Sequence, residues 1–226
     1  MTHRTIRVMV PPPAPAETAR MLTETRDYDA LVRDFRWRIP ARYNIGTDVC
    51  TRWAEADPDR VAIIWQRADG GVEPITFGRL EEESNRLANV LAARGVRRGD
   101  RVAIILAQGP AAAVAHIAIY KMGAIAVPLA ALFGPDALAF RLTNSGARAL
   151  LTNAEGVAKL AEIRDGLGEL SVVLSVDGRA DGVDDLGAAL AAASPRFAAA
   201  DTTADDPAMM IYTSGTTGPP KGALHG

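Results

Sequence analysis

Hydrophobic residues recur in short runs along the chain, and their spacing predicts a regular alternation of strands and helices. Strand-like runs begin at Val102, Ile125, Ala149 and Val172, with helical stretches over 111–122, 136–144 and 155–167 between them. Steps of this kind favour parallel strands joined by right-handed crossovers. The runs 102–106 and 172–174 are continuously apolar, as in strands that are covered on both faces. The pattern predicts an α/β fold with a parallel sheet of successive β-α units flanked by helices.

The clearest amphipathic helix begins after Thr76, whose hydroxyl suits the N-cap position. Its apolar face comprises Leu80, Ser84, Leu87, Ala88 and Leu91, and its expected solvent face comprises Glu81, Glu82, Asn85 and Asn89. Gly95 should end the helix. We interpret the acidic run 81–83 as a solvated surface near a helix N-terminus, where carboxylates are favoured.

The remaining segments have weaker patterns. Helices are predicted at 29–36, 47–56 and 184–193, strands at 61–65 and 208–212, and a surface connector at 194–207. The strand at 208–212 is predicted to be the last one, and we expect an exposed sheet edge and exposed apolar surface where a next strand would pair after residue 226. Because 11–15 is rich in proline, residues 1–27 are interpreted as a flexible leader. The globular domain is predicted to occupy 28–226.

Composition limits the classes of partner. The 226 residues are 48% hydrophobic and 23% charged, with a formal net charge of −2. This charge gives no basic footprint for nucleic acid or for an anionic membrane surface. The apolar stretch 102–133 is interrupted by Gln108, His116 and Lys121, so no run approaches the ~20 apolar residues of a membrane span. Small-molecule chemistry is the better interpretation.

The cysteine and histidine content points to neither disulfides nor a metal site. Cys50 is the only cysteine, and we expect it to pack as a small hydrophobic residue. The three histidines lack the spacing of metal ligands. The N-terminus also lacks the pattern of a secretory signal, so a cytoplasmic location is expected.

The richest cluster of candidate chemistry follows the strand at 208–212. It contains the hydroxyls of Thr213, Ser214, Thr216 and Thr217, the glycines Gly215 and Gly218, and Lys221 after two prolines. Glycines permit positive φ and close backbone approach, so successive N–H groups can converge on phosphate oxygens. The lysine adds a compact positive charge. A plain surface loop would not require glycines three apart, nor a lysine three residues after the second. The cluster therefore predicts a phosphate-binding loop.

A P-loop nucleoside triphosphatase is the first specific alternative for this cluster. Its fingerprint has four residues between the glycines, and then a Gly-Lys pair followed by Ser or Thr. Here Gly215 and Gly218 are separated by two residues, Pro220 precedes Lys221, and Gly222 follows it. The hydroxyl that binds Mg²⁺ is missing, so we reject this alternative.

The segment 212–222, Tyr-Thr-Ser-Gly-Thr-Thr-Gly-Pro-Pro-Lys-Gly, resembles the phosphate-binding signature of the adenylate-forming superfamily. That superfamily includes acyl-CoA synthetases, adenylation domains of peptide synthetases and luciferases. Segments 120–129, 75–80 and 84–88 are similar to its earlier motifs, and the similarity runs from about Tyr43 to the end. Within the superfamily, 43–44, 50–53, 132–134 and 223–225 look most like acetyl-CoA and medium-chain acyl-CoA synthetases.

The resemblance implies an ATP-dependent reaction. A small-molecule carboxylate attacks the α-phosphate of ATP, pyrophosphate leaves, and the acyl group passes from acyl-AMP to the thiol of CoA. By this resemblance, the β- and γ-phosphates would be lined by Thr213, Ser214, Gly215, Thr216, Thr217, Gly218 and Lys221. Lys221 would stabilise the charge that accumulates on pyrophosphate, and Mg²⁺ would bridge the phosphate oxygens. His225 would either line the acyl pocket or be an ordinary exposed histidine.

The chain also departs from the resembled family. Family chains are much longer, and their adenine-binding, metal-binding and ribose-binding segments and their C-terminal domain would all follow the loop. We therefore expect residues 28–226 to be the incomplete N-terminal AMP-binding domain of an acyl-CoA synthetase, inactive by itself. A separately encoded C-terminal half could be its partner. Two alternatives remain open here: a non-catalytic module that binds a nucleotide or a partner, and an unrelated α/β protein with a fortuitous loop.

Overall fold

A computed structural model describes residues 25–37, 39–214 and 218–226, in two compact units that comprise 1–40 and 41–226. Helix α1 (Tyr28–Asp34) belongs to the first unit. The Asp27 side chain caps it by accepting a hydrogen bond from the Ala30 N–H at 3.0 Å. The predicted helix at 29–36 is confirmed with slightly different ends. Most of the predicted leader 1–27 lies outside the described residues.

The second unit alternates helices and strands. In chain order it contains a π-helix (Thr47–Thr51), α2 (Arg52–Ala56), β1 (Val61–Gln66), β2 (Val72–Thr76), α3 (Phe77–Ala93), β3 (Arg101–Ile105), α4 (Pro110–Lys121), β4 (Ile125–Pro128), α5 (Pro135–Ser145), β5 (Ala147–Thr152), α6 (Ala154–Ala161), a 3₁₀ turn (Arg164–Gly166), β6 (Val172–Ser175), β7 (Asp184–Asp185), α7 (Leu186–Ala192), β8 (Met209–Thr213) and β9 (Lys221–His225). All four strands of the predicted β-α repeat are present and start within two residues of the predicted positions. The predicted helix at 155–167 is shorter, because α6 ends at Ala161 and a 3₁₀ turn follows.

The main sheet has the strand order β7-β6-β5-β3-β4-β8-β9 across the described residues. Strands β3 to β8 pair in parallel, which confirms the predicted α/β fold. Strand β9 is antiparallel to β8 and forms the edge of the described sheet, where Leu224 is exposed. The prediction that 208–212 is the last strand was therefore wrong. The sequence signal was hidden because β9 is short and starts with Lys221 and Gly222. Strands β1 and β2 form a separate antiparallel hairpin.

Helices cover both faces of the parallel strands. Val102 and Ile104 of β3 belong to a core cluster with residues of α3, α4 and α7. Ala103 and Ile105 of the same strand belong to a second cluster with residues of α5 and α6. Each face of β3 is therefore buried, which explains its continuous apolar run.

Helix α3 confirms the predicted cap and apolar face but corrects the predicted solvent face. The Thr76 hydroxyl accepts a hydrogen bond from the Arg79 N–H at 3.2 Å. Asn85 is buried, and Glu81 turns inward to the buried Lys121 of α4. The prediction that both residues face solvent was wrong, because a charged side chain arriving from another helix needs polar partners inside the core.

The segment at 194–207 is more closely attached to the core than a surface connector. Thr202 is buried, and its hydroxyl donates to the Tyr43 carbonyl at 2.7 Å. The Asn44 side-chain amide donates to the Tyr120 and Ala200 carbonyls at 2.9 and 3.1 Å. Cys50 is fully buried, as expected. Among the described helices, none is both long and apolar enough to cross a bilayer.

Candidate phosphate-binding site

The candidate loop connects two paired strands at the side of the main sheet. Strand β8 lies parallel to β4, and within the β8–β9 hairpin Thr213 is the cross-strand partner of Lys221. This pairing closes the loop at its base and places the lysine beside the first threonine. Thr213, Ser214 and Lys221 are all exposed, so their polar groups are available to a ligand.

The described part of the loop contains one glycine in the left-handed backbone conformation. Gly218 adopts φ +86°, in the left-handed region, and a Cβ atom built there would meet no atom within 4 Å. Its glycine identity is thus required by conformation and not by crowding. Gly215, Thr216 and Thr217 lie outside the described residues, so their phosphate-binding role stays a prediction.

A cavity of about 770 Å³ opens at the carboxyl ends of β3 and β4. It is lined by Ile63, Ile64, Trp65, Gln66, Ile104, Leu106, Ala107, Gln108, Gly109, Ala112, Ala113, His116, Pro128, Leu129, Ala130 and Ala131. Sequence reasoning missed this cavity. The available signal was the polar residue Gln108, three residues after the buried parallel strand β3 ends at Ile105. Ligands of open α/β sheets bind outside the carboxyl ends of strands.

His116 is a polar, uncharged residue in the wall of this cavity. Its Nδ1 atom lies 3.1 Å from the Tyr120 hydroxyl. Burial lowers the pKa of His116 below its ordinary value of 6.5. The ring can therefore accept or donate a hydrogen bond near neutral pH without carrying a charge.

The loop and the cavity open at the same edge of the sheet. Strands β3, β4 and β8 are parallel, and the loop follows the carboxyl end of β8 just as the cavity follows those of β3 and β4. His225 lies at the other end of the hairpin, where it pairs with Met209 at the start of β8. At about 3.3 Å per strand residue, this end is roughly 13 Å from Lys221. A role for His225 in an acyl pocket stays a prediction.

The donor set of this region fits phosphate better than a metal ion. It combines hydroxyls, a lysine and a glycine-rich backbone, which are ligands for phosphate oxygens. Among the described residues, no three His, Cys, Asp or Glu side chains are grouped so as to hold a metal ion. Mg²⁺ in nucleotide sites is usually held by one or two carboxylates together with the phosphates, and we name no such carboxylate within the described part of the chain.

A parallel sheet with helices on both faces and a Gly/Thr/Lys loop after a sheet strand is typical of nucleotide-binding α/β proteins. The family model described as "AMP-binding enzyme" matches residues 50–226. This chain belongs to that family, as the resemblance implied, and an unrelated fold with a fortuitous loop is excluded.

The curated relatives of this chain include acetyl-coenzyme A synthetases. The chain is 35% identical over 209 residues to an acetyl-coenzyme A synthetase of Xanthobacter autotrophicus, covering 84% of this chain and 32% of that protein. It is 33% identical to the acetyl-coenzyme A synthetase of Novosphingobium aromaticivorans, covering 91% of this chain and 35% of that protein. The chain thus spans about a third of the length of these relatives.

Solved structures confirm the fold. An acyl-CoA synthetase from Brucella canis superposes with a TM-score of 0.78 at 30% identity, covering 87% of this chain and 37% of that one. An anthranilate CoA ligase in complex with anthranoyl-AMP superposes with a TM-score of 0.73 at 27% identity, covering 83% and 35%. The second of these holds an acyl adenylate.

Proposed function

We propose that this chain supplies the phosphate-binding part of an ATP-dependent acyl-CoA synthetase. The full reaction converts a carboxylate and ATP to acyl-AMP and pyrophosphate, and then passes the acyl group to CoA. The observation that carries the proposal is the loop between β8 and β9, where Thr213 and Lys221 are cross-strand partners in a chain of the AMP-binding family. Similarity to acetyl-coenzyme A synthetases favours a small carboxylate as the substrate.

The residues of this chain would act on the phosphates. The Thr213 and Ser214 hydroxyls can donate hydrogen bonds to the terminal phosphates, and the Lys221 ammonium can pair with their charge. As pyrophosphate leaves, charge accumulates on its oxygens, so fixed donors stabilise the transition state more than ground-state ATP. Mg²⁺, when bound with ATP, would neutralise part of the same charge.

We further propose that these 226 residues bind ATP but do not complete the reaction without the remaining two thirds of a family member. The alternative is a non-catalytic module that binds a nucleotide or a partner through the same fold.

Equilibrium binding of MgATP and ATP–pyrophosphate exchange test these proposals together. We expect the chain to bind MgATP, Lys221→Met to weaken binding, and no carboxylate-dependent exchange to occur. Arg179→Met removes the same charge from the turn before β7, at the opposite side of the sheet, and should leave binding unchanged. Equal affinity of the wild-type and Lys221→Met chains would contradict the phosphate site. Exchange that depends on a carboxylate would contradict the proposed inactivity of the chain alone.

A further inference from the structure

Tyr212 connects the candidate loop to helix α5. It is the residue immediately before Thr213, and its half-buried side chain leaves the hairpin toward that helix. Its hydroxyl donates to Asn144 Oδ1 at 2.7 Å and lies 3.2 Å from the Arg141 carbonyl oxygen. Burial raises the pKa of the Tyr212 phenol, so the phenol remains a proton donor at neutral pH.

The Arg141 guanidinium stacks against the same ring. Its central carbon lies 5.7 Å from the centroid of the Tyr212 ring and 4.0 Å from that of Phe133. Arg141 Nη1 donates to the Ala137 carbonyl of its own helix at 2.7 Å, which limits the movement of the cation. Phe140 adds an edge-on contact to Tyr212 at 6.5 Å between ring centroids. The ring of Tyr212 is thus held by one hydrogen bond and by a fixed cation.

Across the hairpin, the partner of Tyr212 is Gly222, which directly follows Lys221. A Cβ atom at Gly222 would lie 3.3 Å from Tyr212 Cζ and 2.9 Å from Met210 Sδ. The missing side chain therefore lets the tyrosine ring approach β9 beside the lysine. Tyr212 contacts α5 and both strands of the hairpin at the base of the loop.

We propose that Tyr212, held by Asn144 and Arg141, is a positioning residue for the phosphate loop. Tyr212 joins both ends of the loop to α5. It thereby holds the Thr213 and Ser214 hydroxyls and the Lys221 ammonium in fixed positions around the proposed phosphate site. A site whose donors are already fixed spends less binding energy on ordering them. This inference rests on the proposed phosphate site and adds three residues to it.

The test uses the 226-residue chain with Tyr212→Phe, Asn144→Leu and Asn144→Asp, and Thr143→Leu as a control at the adjacent exposed position of α5. Tyr212→Phe removes only the hydroxyl. Asn144→Leu removes the acceptor, and Asn144→Asp restores an acceptor oxygen. The first readout is amide hydrogen exchange of the ligand-free chain at Thr213, Ser214, Gly218, Lys221 and Gly222. The second is the Kd for MgATP.

We expect Tyr212→Phe and Asn144→Leu to speed exchange at these amides and to raise the Kd about three- to tenfold, the value of one lost hydrogen bond. Asn144→Asp and Thr143→Leu should behave like the wild-type chain, and exchange in β3 should stay unchanged in every variant. Unchanged exchange at the loop in both Tyr212→Phe and Asn144→Leu would overturn the proposal, and so would faster exchange accompanied by an unchanged Kd. Failure of the wild-type chain to bind MgATP would instead refute the proposed phosphate site, and loop exchange alone would then decide whether Tyr212 fixes the hairpin.

Discussion

Lys121 Nζ of α4 lies 2.7 Å from Glu81 Oε2 of α3, with only 1% of the lysine side chain exposed. The same ammonium donates to Ser84 Oγ at 2.9 Å and to Asn85 Oδ1 at 2.7 Å. Burial lowers the pKa of Lys121 from its ordinary 10.5, and the Glu81 carboxylate opposes this change. All three donor positions of the ammonium are occupied, so the two helices are joined by a satisfied polar network inside the core.

Removal of the ammonium should be strongly destabilising. Lys121→Met leaves Glu81 without its cation, and we expect the free energy of unfolding to fall by about 3 kcal/mol. Adding Glu81→Leu to Lys121→Met should recover part of this loss, because replacing a whole buried ion pair by apolar residues costs less than breaking it. Denaturant titration measures both values. Arg42→Met, which breaks a pair with Asp201 that is exposed on both sides, is the control and should cost well under 1 kcal/mol. A double variant less stable than Lys121→Met would contradict this account.

The decrease in unfolding free energy at acid pH should depend on the Glu81 carboxyl. Burial alone would raise the pKa of its carboxyl, but hydrogen bonds and charge from Lys121 hold that pKa below its ordinary value of 4.5. The folded state therefore binds fewer protons than the unfolded state in this range. The resulting stability is present above pH 4.5 and is lost as pH falls toward the lower folded pKa.

Glu81→Gln should accordingly flatten the fall in unfolding free energy between about pH 5 and about pH 3. The measurement is urea denaturation at a series of pH values. Glu82→Gln is the matched control, because Glu82 is exposed and pairs with Arg86 on the same helix. A wild-type slope retained in Glu81→Gln would mean that other carboxylates account for the acid sensitivity.

His116 should titrate below its ordinary pKa of 6.5 because burial disfavours the imidazolium. The unfolded chain takes up a proton near that value while folded His116 stays neutral, so stability decreases as pH drops below 6.5. Proton NMR of the ring against pH measures the midpoint, with the signal assigned by its loss in His116→Gln. A midpoint at or above 6.5 would show that the ring is better solvated than its position in the cavity wall indicates.

The sequence was sufficient to predict the repeating β-α part of the fold. It was not sufficient to predict the contacts between segments that are far apart in the chain. Parallel strands such as β3 carry continuous apolar runs, which predict strands whatever their neighbours are. Asn85 and Glu81 were predicted on the solvent face because helical periodicity cannot show that Lys121 will arrive from another helix. The cavity combines β1 with the ends of β3 and β4, and no local pattern contains that combination. The loop was recognised because its glycines and lysine are adjacent in sequence, whereas its attachment through Asn144 to Tyr212 depends on residues far apart in the chain.

The backbone of Gly218 offers a last test of the loop. With φ at +86°, any L side chain there is strained, although no neighbouring atom would contact its Cβ. We expect Gly218→Ala to change the loop conformation or to strain it by about 1 to 2 kcal/mol, and so to weaken MgATP binding roughly five- to thirtyfold. Gly218→Asn should weaken binding less, because asparagine tolerates the left-handed region. Gly168→Ala, at a position that also lacks neighbours but has no positive φ, controls for the loss of glycine itself. Titration with MgATP measures the Kd of the wild-type chain and of the three variants. If Gly218→Ala binds MgATP as tightly as the wild type, the ligand-bound loop does not need the left-handed conformation at residue 218.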